Sequence, residues 1–305
     1  MRDHLVKGVA AGDISCLAVV ATAASRTARD RHVLAPTSAA LLAEGLTAGL
    51  LVGALQPNRG RVNLQVECDG PARGLLVDAD AEGNVRGLVR STSVNFALYD
   101  ADGRFSTRPA LGRTGYISVL RDQGAGKLFR GLVELGDGDL SQGVERYFAS
   151  SEQTDTAVQL EVLSLPDEPL TIVAGLVLQT LPGGDRALLD KLRYQLRDGR
   201  LASAMRVAHG AQELITDVLG STPFELRATE DVRFACRCSR ERVARAIATM
   251  GPGEIADMII KDKKCEATCE FCGERYHFDE SELRAILDEV DRKDLEAAGD
   301  ADADA

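Results

Sequence analysis

The sequence predicts an α+β fold with a strand-rich N-terminal domain, a helical linker and a small cysteine-bearing domain. Residues 62–182 largely alternate apolar and polar side chains, the period-two pattern of half-buried strands. From residue 183 the apolar residues recur at helical spacing with charged residues between them. Five of the seven cysteines fall within residues 236–272. We therefore expect an N-terminal α+β domain at 1–182, a helical linker at 183–232, a cysteine-bearing domain at 233–292 and an acidic disordered tail at 293–305.

Residues 35–55 form a long segment that is apolar apart from Glu44 and small residues. Gly45, Gly49 and Gly53 recur at four-residue spacing, a pattern that packed membrane helices also show. The segment is of marginal length for a bilayer, and the chain has no second segment of this kind. We therefore predict a helix buried in a protein core, and no membrane partner.

The N-terminal apolar run at residues 14–24 does not have the features of a secretory signal. Asp3 and Asp13 precede it, where a signal peptide would carry net positive charge. We predict a buried strand here and a cytoplasmic protein. In that compartment clustered cysteines indicate metal binding or redox chemistry better than a disulfide framework.

Two short cysteine motifs predict one zinc site. Cys236 and Cys238 are separated by one residue, and Cys269 and Cys272 by two, followed by Gly273, which permits a tight turn. Four thiolates close a tetrahedral site with no open position for substrate, so a hydrolytic zinc mechanism is disfavoured. Cys265 and His277 lie near enough in sequence to compete as ligands, but we expect both to be bystanders because four thiolates are already present. After this site, Asp279 and Glu282 predict the capping box of a final helix.

The motifs are similar to those of a known family. The relevant stretches are FACRCSRER at residues 234–242 and TCEFCGERYHF at residues 268–278. They resemble the redox-regulated 33-kilodalton heat-shock chaperone family. The body resembles it too, less specifically, at QVECDGP (65–71), GLVR (87–90), ERYF (145–148), SEQ (151–153) and residues 174–182. The resemblance covers nearly the whole chain apart from the acidic tail.

This resemblance implies a fold and a mechanism. The N-terminal domain would have two sheets around a buried helix. In the reduced, inactive state one Zn²⁺ would be held by the four thiolates. Under peroxide or hypochlorite the disulfides Cys236–Cys238 and Cys269–Cys272 would form, zinc would leave, and the small domain and linker would unfold. The exposed surface would hold unfolding client proteins without ATP, and the active form would be a homodimer.

The residues are compatible with such a redox switch. Zinc keeps thiols deprotonated, and the thiolate is the form that oxidants attack. Losing the metal removes most of the stability of so small a domain. Cys265 departs from the family pattern and leaves the disulfide connectivity open, since a Cys265–Cys269 bond is an alternative pairing.

Two other function classes are weaker. A zinc-ribbon nucleic-acid-binding protein would need clustered basic residues, but the net charge is −11, and the patch of Lys261, Lys263 and Lys264 is interrupted and flanked by acidic residues. An enzyme would need a recognisable constellation, and no phosphate-binding loop, nucleophile elbow or HExxH motif occurs in the sequence. Among enzymes, a thiol oxidoreductase using Cys269 and Cys272 is the alternative that the motifs fit best. We expect no enzymatic activity and no nucleic-acid partner.

Overall fold

The computed structural model describes residues 1–57, 60–96, 104–122, 124, 127–136, 138–165 and 168–303, without the side chains of residue 169 and of residues 293–303. The chain divides into two compact units, Met1–Ala235 and Cys236–Ala305. The second unit begins three residues later than the sequence pattern predicts, because Arg233 and Phe234 pair with a strand of the first unit.

The first unit contains eleven strands among its described residues. They are β1 (His4–Ala10), β2 (Ile14–Val20), β3 (Arg61–Cys68), β4 (Gly74–Asp80), β5 (Asn84–Val89), β6 (Gly115–Asp122), β7 (Leu128–Glu134), β8 (Thr156–Leu165), β9 (Glu168–Thr180), β10 (Phe224–Asp231) and β11 (Arg233–Phe234). They form two sheets, with strand orders β10-β1-β2-β9-β8 and β11-β5-β4-β3-β6-β7. Neighbouring strands run antiparallel except β11 and β5.

The helices of the first unit lie mainly before β3 and after β9. They are α1 (Thr22–His32), α2 (Pro36–Ala54), α3 (Arg108–Leu111), α4 (Leu140–Tyr147), α5 (Arg186–Arg197), α6 (Arg200–Met205) and α7 (Ala211–Leu219), with a π-helical turn at Phe148–Glu152. Pro36 occupies the first helical position of α2, where its missing N–H costs nothing.

Helix α2 lies between the two sheets. A Cβ built on Gly49 would lie 2.6 Å from Val77 Cγ1 of β4, and one built on Gly175 of β9 would lie 2.5 Å from Thr47 Cγ2 of the helix. The glycine spacing therefore allows the helix to pack closely against a sheet. In the described part of the chain α2 is also the one helix long and apolar enough to cross a membrane, and the whole of that apolar window is buried. The predicted α+β fold, with two sheets around a buried helix, is confirmed.

The first sheet is covered on both faces, which explains the continuous apolar run in β2. Leu17 and Val19 belong to the core around α2, whereas Cys16, Ala18 and Val20 belong to a second core beneath helices α5–α7. Successive side chains of a strand point to opposite faces, so a strand covered on both sides reads as uniformly apolar.

The segment predicted to be a helical linker, residues 183–232, is helical only in part. Helices α5–α7 bury Leu189, Leu192 and Leu214 against the first sheet, but Phe224–Asp231 form strand β10. This strand pairs antiparallel with β1, and its side chains are mostly exposed. The difference arises because an edge strand with one partner needs little apolar patterning.

Glu44 is a buried carboxyl group on helix α2. Thr107 Oγ1 donates a hydrogen bond to Glu44 Oε2 at 2.7 Å. Burial raises the pKa of Glu44 well above its usual value, and the nearby Asp139 and Glu161 carboxylates raise it further, whereas the hydrogen bond from Thr107 opposes the shift. The folded state therefore holds the Glu44 proton more tightly than the unfolded chain does.

Replacing Glu44 with Gln is expected to make the first unit less sensitive to rising pH. A raised folded-state pKa gives stability that is full below the unfolded pKa of about 4.3 and is lost as the pH rises towards the folded value. The amide is neutral throughout this range. The free energy of unfolding of E44Q minus that of the native protein should thus increase between about pH 4 and pH 8 in urea titrations. A difference that does not change with pH would contradict the raised pKa of Glu44 in the folded state.

The second unit is small. It contains α8 (Arg240–Ala248), α9 (Pro252–Lys261), the hairpin β12 (Lys264–Thr268) and β13 (Arg275–Asp279), and α10 (Glu280–Ala303). Its core has a short set of buried side chains: Ile247, Ile255, Ile259, Phe278 and Leu283. Helix α10 includes residues 293–303 of the segment predicted to be a disordered tail, so the backbone there differs from the prediction, and residues 304–305 lie outside the described residues.

Candidate metal centre

An irregular segment and a turn place four cysteines in the second unit. Cys236 and Cys238 directly precede helix α8, whose N-cap residue Ser239 accepts a hydrogen bond from the Arg242 N–H at 3.3 Å. Cys269 and Cys272 lie in the turn between β12 and β13.

The turn between β12 and β13 is closed by backbone hydrogen bonds. Cys272 N and Gly273 N donate to Cys269 O at 3.3 and 2.8 Å, and Cys269 N donates to Glu274 O at 2.9 Å. Gly273 has a φ of 70°, a left-handed conformation that favours glycine. The glycine expected from the motif is therefore required by the turn.

The four sulfur atoms converge. Cys236 Sγ lies 3.7 Å from Cys269 Sγ, and Cys238 Sγ lies 3.4 Å from Cys272 Sγ. All four lie within 4.8 Å of one another. Four sulfurs at about 2.3 Å from a tetrahedral zinc ion would be separated by roughly 3.8 Å, whereas a disulfide bond is about 2.05 Å long. The cluster fits a divalent metal ion, and none of its four cysteines is in a disulfide bond.

The negative charge that four thiolates would bring to the cluster also favours a bound cation. Burial is the main cause that raises the pKa of the Cys269 and Cys272 thiols, and the neighbouring cysteines raise that of Cys272 further. Four sulfurs so close together cannot all be thiolates without a compensating positive charge. A bound divalent metal ion supplies that charge and deprotonates its thiol ligands.

Cys265 and His277, the other two candidate ligands near the site, lie outside this cluster. Cys265 lies on β12 opposite Phe278 and packs against the core of the second unit. His277 Nδ1 lies 3.3 Å from Glu266 Oε2, and its side chain is 70% exposed. In the part of the chain that the structure describes, the potential metal-ligand group comprises Cys236, Cys238, Cys269 and Cys272 without them.

Tyr276 is a neighbour of the site that the sequence pattern did not indicate. Its hydroxyl donates a hydrogen bond to Cys238 Sγ at 3.1 Å. This hydrogen bond is the main cause that raises the pKa of Tyr276, so the phenol keeps its proton and remains a donor. The only available signal was its place on β13, two residues before the buried Phe278 and hence on the same face.

Arg240 ties the start of α8 to β13 and α10. Its guanidinium pairs with Glu282 at 2.6 Å and lies 4.6 Å from the centre of the Phe278 ring. Asp279 Oδ1 accepts from Glu282 N at 2.9 Å, and Glu282 Oε2 accepts from Asp279 N at 3.0 Å, which is the predicted capping box. These contacts hold the two halves of the unit together around the cysteine cluster.

Comparison with known proteins identifies the family. The profile of the Hsp33 protein family matches residues 3–279, which include all four clustered cysteines. The chain belongs to the Hsp33 family. The 33 kDa chaperonin of Geobacillus kaustophilus is similar to this chain, with 36% identity over 289 residues covering 94% of the chain and 98% of that relative. The 33 kDa chaperonin of Bacillus subtilis is 34% identical over 292 residues, covering 95% and 100%.

A solved structure of the Hsp33 family has the same fold. The 33 kDa chaperonin of Thermotoga maritima superposes with a TM-score of 0.84 at 25% sequence identity, covering 95% of this chain and 100% of that one. The family predicted from the two cysteine motifs is therefore confirmed over both units.

Proposed function

We propose that this Hsp33-family protein is a chaperone whose capture of unfolding proteins is switched on by oxidation of the cysteine cluster. The observation that carries the proposal is the convergence of four cysteine sulfurs, not joined by disulfides, within 4.8 Å in a unit with a very small core. A unit of this size needs a stabilising cross-link, or staple, such as a bound metal ion, in addition to its apolar side chains. The same sulfurs that supply the staple are its oxidisable groups.

One Zn²⁺ is the metal we assign to Cys236, Cys238, Cys269 and Cys272, because tetrahedral all-sulfur sites are typical of structural zinc. When bound, zinc keeps the thiols deprotonated, and the thiolate is the form that oxidants attack. The protein residues supply four ligands and leave no position for a substrate.

Oxidation would convert the four ligands into two disulfides. Each disulfide forms as two cysteines lose two protons and two electrons to one hydrogen peroxide, which is reduced to two waters. Disulfide sulfurs no longer serve as thiolate ligands, so the staple is lost. We assign the pairs Cys236–Cys238 and Cys269–Cys272.

The close sulfur pairs of the reduced state, 236 with 269 and 238 with 272, join opposite halves of the site. In a unit that has opened, however, residues near in sequence stay near in space, because short loops cost less entropy to close. This favours the pairs within each motif.

Opening of the α5–α7 layer would uncover a surface suited to unfolding clients. Leu189, Leu192, Leu196 and Leu214 are fully buried against the apolar outer face of the first sheet. A large exposed apolar surface binds other apolar chains. We propose that this layer and the second unit unfold together in the active form, which we expect to be a homodimer acting without ATP.

We also propose a cytoplasmic address, because free thiols persist in reducing compartments. We propose no enzymatic activity, and no membrane or nucleic-acid partner. Lys261 of the basic patch pairs with Asp257 at 2.7 Å, which leaves little local positive charge for phosphate binding.

Light scattering of a chemically unfolded client, diluted into buffer without ATP, tests the proposal. We expect the peroxide-treated protein to suppress client aggregation and the reduced, zinc-loaded protein at equal concentration not to. Reduction and addition of zinc should reverse the effect. Suppression by neither form would leave the cluster with a structural role alone, and suppression by both would contradict redox control.

A further inference from the structure

We propose that the hydroxyl group of Tyr276 is a positioning group that shields the Cys238 sulfur from oxidants and so sets the oxidant level at which the switch opens. The inference rests on the proposed function and adds a regulatory residue to the same site. It starts from one contact, the hydrogen bond from Tyr276 Oη to Cys238 Sγ at 3.1 Å.

The hairpin holds this donor in place. Tyr276 pairs with Ala267 across β12 and β13, and its ring is partly buried against the core of the second unit. Phe278 lies two residues along the same strand face and is buried, with Arg240 above its ring. The phenol is therefore anchored by its ring on the strand that leaves the Cys269–Cys272 turn, while its hydroxyl reaches a sulfur of the other cysteine motif.

The effect on reactivity follows from the chemistry of oxidation. A thiolate sulfur attacks one peroxide oxygen, forming the S–O bond as the O–O bond breaks and hydroxide leaves. The resulting sulfenic acid condenses with a second thiol to give a disulfide and water. The Tyr276 hydrogen bond stabilises the negative charge on the Cys238 sulfur that drives this attack. Donation stabilises it in the ground state more than in the transition state, where it is shared with oxygen, and therefore slows attack.

The variant Tyr276→Phe tests this inference because it removes the hydroxyl and keeps the ring. In the zinc-loaded, full-length protein we expect peroxide to release zinc about three- to tenfold faster than in the native protein, consistent with losing part of a hydrogen bond to a charged group. A chelating dye records the release. Tyr194→Phe is the matched control, since Tyr194 is 73% exposed on α5 of the first unit, and it should leave the rate unchanged.

A second measurement separates an electronic role from loosened packing. In the Co²⁺-substituted protein, loss of the hydrogen bond should move the sulfur-to-metal charge-transfer bands to longer wavelength in Tyr276→Phe. The ligand-field bands should keep the intensity of a tetrahedral site, which also shows that the variant is folded. Unchanged charge-transfer bands together with unchanged zinc-release rates would overturn the inference.

Both readouts are independent of chaperone activity. If the oxidised native protein fails to suppress aggregation while Tyr276→Phe still shifts the bands and the rate, the proposed function fails and the role of Tyr276 stands. If the native protein is a redox-controlled chaperone and neither readout changes, the inference about Tyr276 fails alone.

Discussion

Replacing Cys272 with Ser is expected to abolish zinc binding and to unfold the second unit while the first unit stays folded. Cys272 is 3% exposed, and its sulfur lies 3.4 Å from that of Cys238. Structural zinc in small domains contributes about 10–16 kcal/mol of apparent binding free energy, which is coupled to folding. The five buried apolar side chains in the core of this unit cannot replace a free energy of that size. The metal-to-protein ratio by mass spectrometry and the proteolytic sensitivity of residues 236–303 measure both effects.

The other cysteines provide matched controls for this substitution. Cys265 lies in the same unit, but its side chain is only partly buried and lies outside the cluster, so Cys265→Ser should retain zinc and lose little stability. Cys16 is buried in the first unit, and Cys16→Ser should leave the metal content unchanged. Cys236→Ser is expected to behave as Cys272→Ser does. Full zinc content in Cys236→Ser would show that the ligand assignment is wrong.

Much of this architecture could be predicted because its signals are local. The apolar segment at residues 35–55 indicates a buried helix through composition alone, and the two cysteine motifs identify both the cluster and the family. Asp279 and Glu282 form a capping box at the spacing that their backbone hydrogen bonds require. In each case the residues that define the feature lie within about one helix length of one another, or carry an unusual side chain.

The features that could not be predicted depend on partners distant in sequence. Strand β10 follows three helices and pairs with β1 near the other end of the chain, so no neighbouring residue indicates its strand character. Tyr276 reaches a sulfur 38 positions earlier, and tyrosine carries no ligand signature. The glycines of α2 raised a membrane alternative because their spacing shows close packing but does not show whether the partner is a helix or a sheet.

Replacing Gly49 with Leu is expected to destabilise the first unit strongly. The position lies in the middle of α2, where even a Cβ atom would be 2.6 Å from Val77 Cγ1, and Val77 is fully buried on β4. Leucine favours a helix over glycine by less than about 1 kcal/mol, whereas overpacking a close-packed core costs about 1–3 kcal/mol or more for a few added carbons. Because α2 is enclosed by both sheets, the added side chain cannot turn outward, and the net loss should reach at least about 2 kcal/mol in urea unfolding.

Gly253 on α9 provides a contrasting control for Gly49. No atom would lie within 4 Å of a Cβ added there, so Gly253→Ala should stabilise its own helix by up to about 1 kcal/mol. Replacing a helical glycine with a larger residue is thus expected to lower stability at position 49 and to raise it at position 253. The difference arises because the two positions face different surroundings. If Gly49→Leu unfolded at the same urea concentration as the native protein, α2 could not be packed against β4. The glycine spacing would then have to serve another partner.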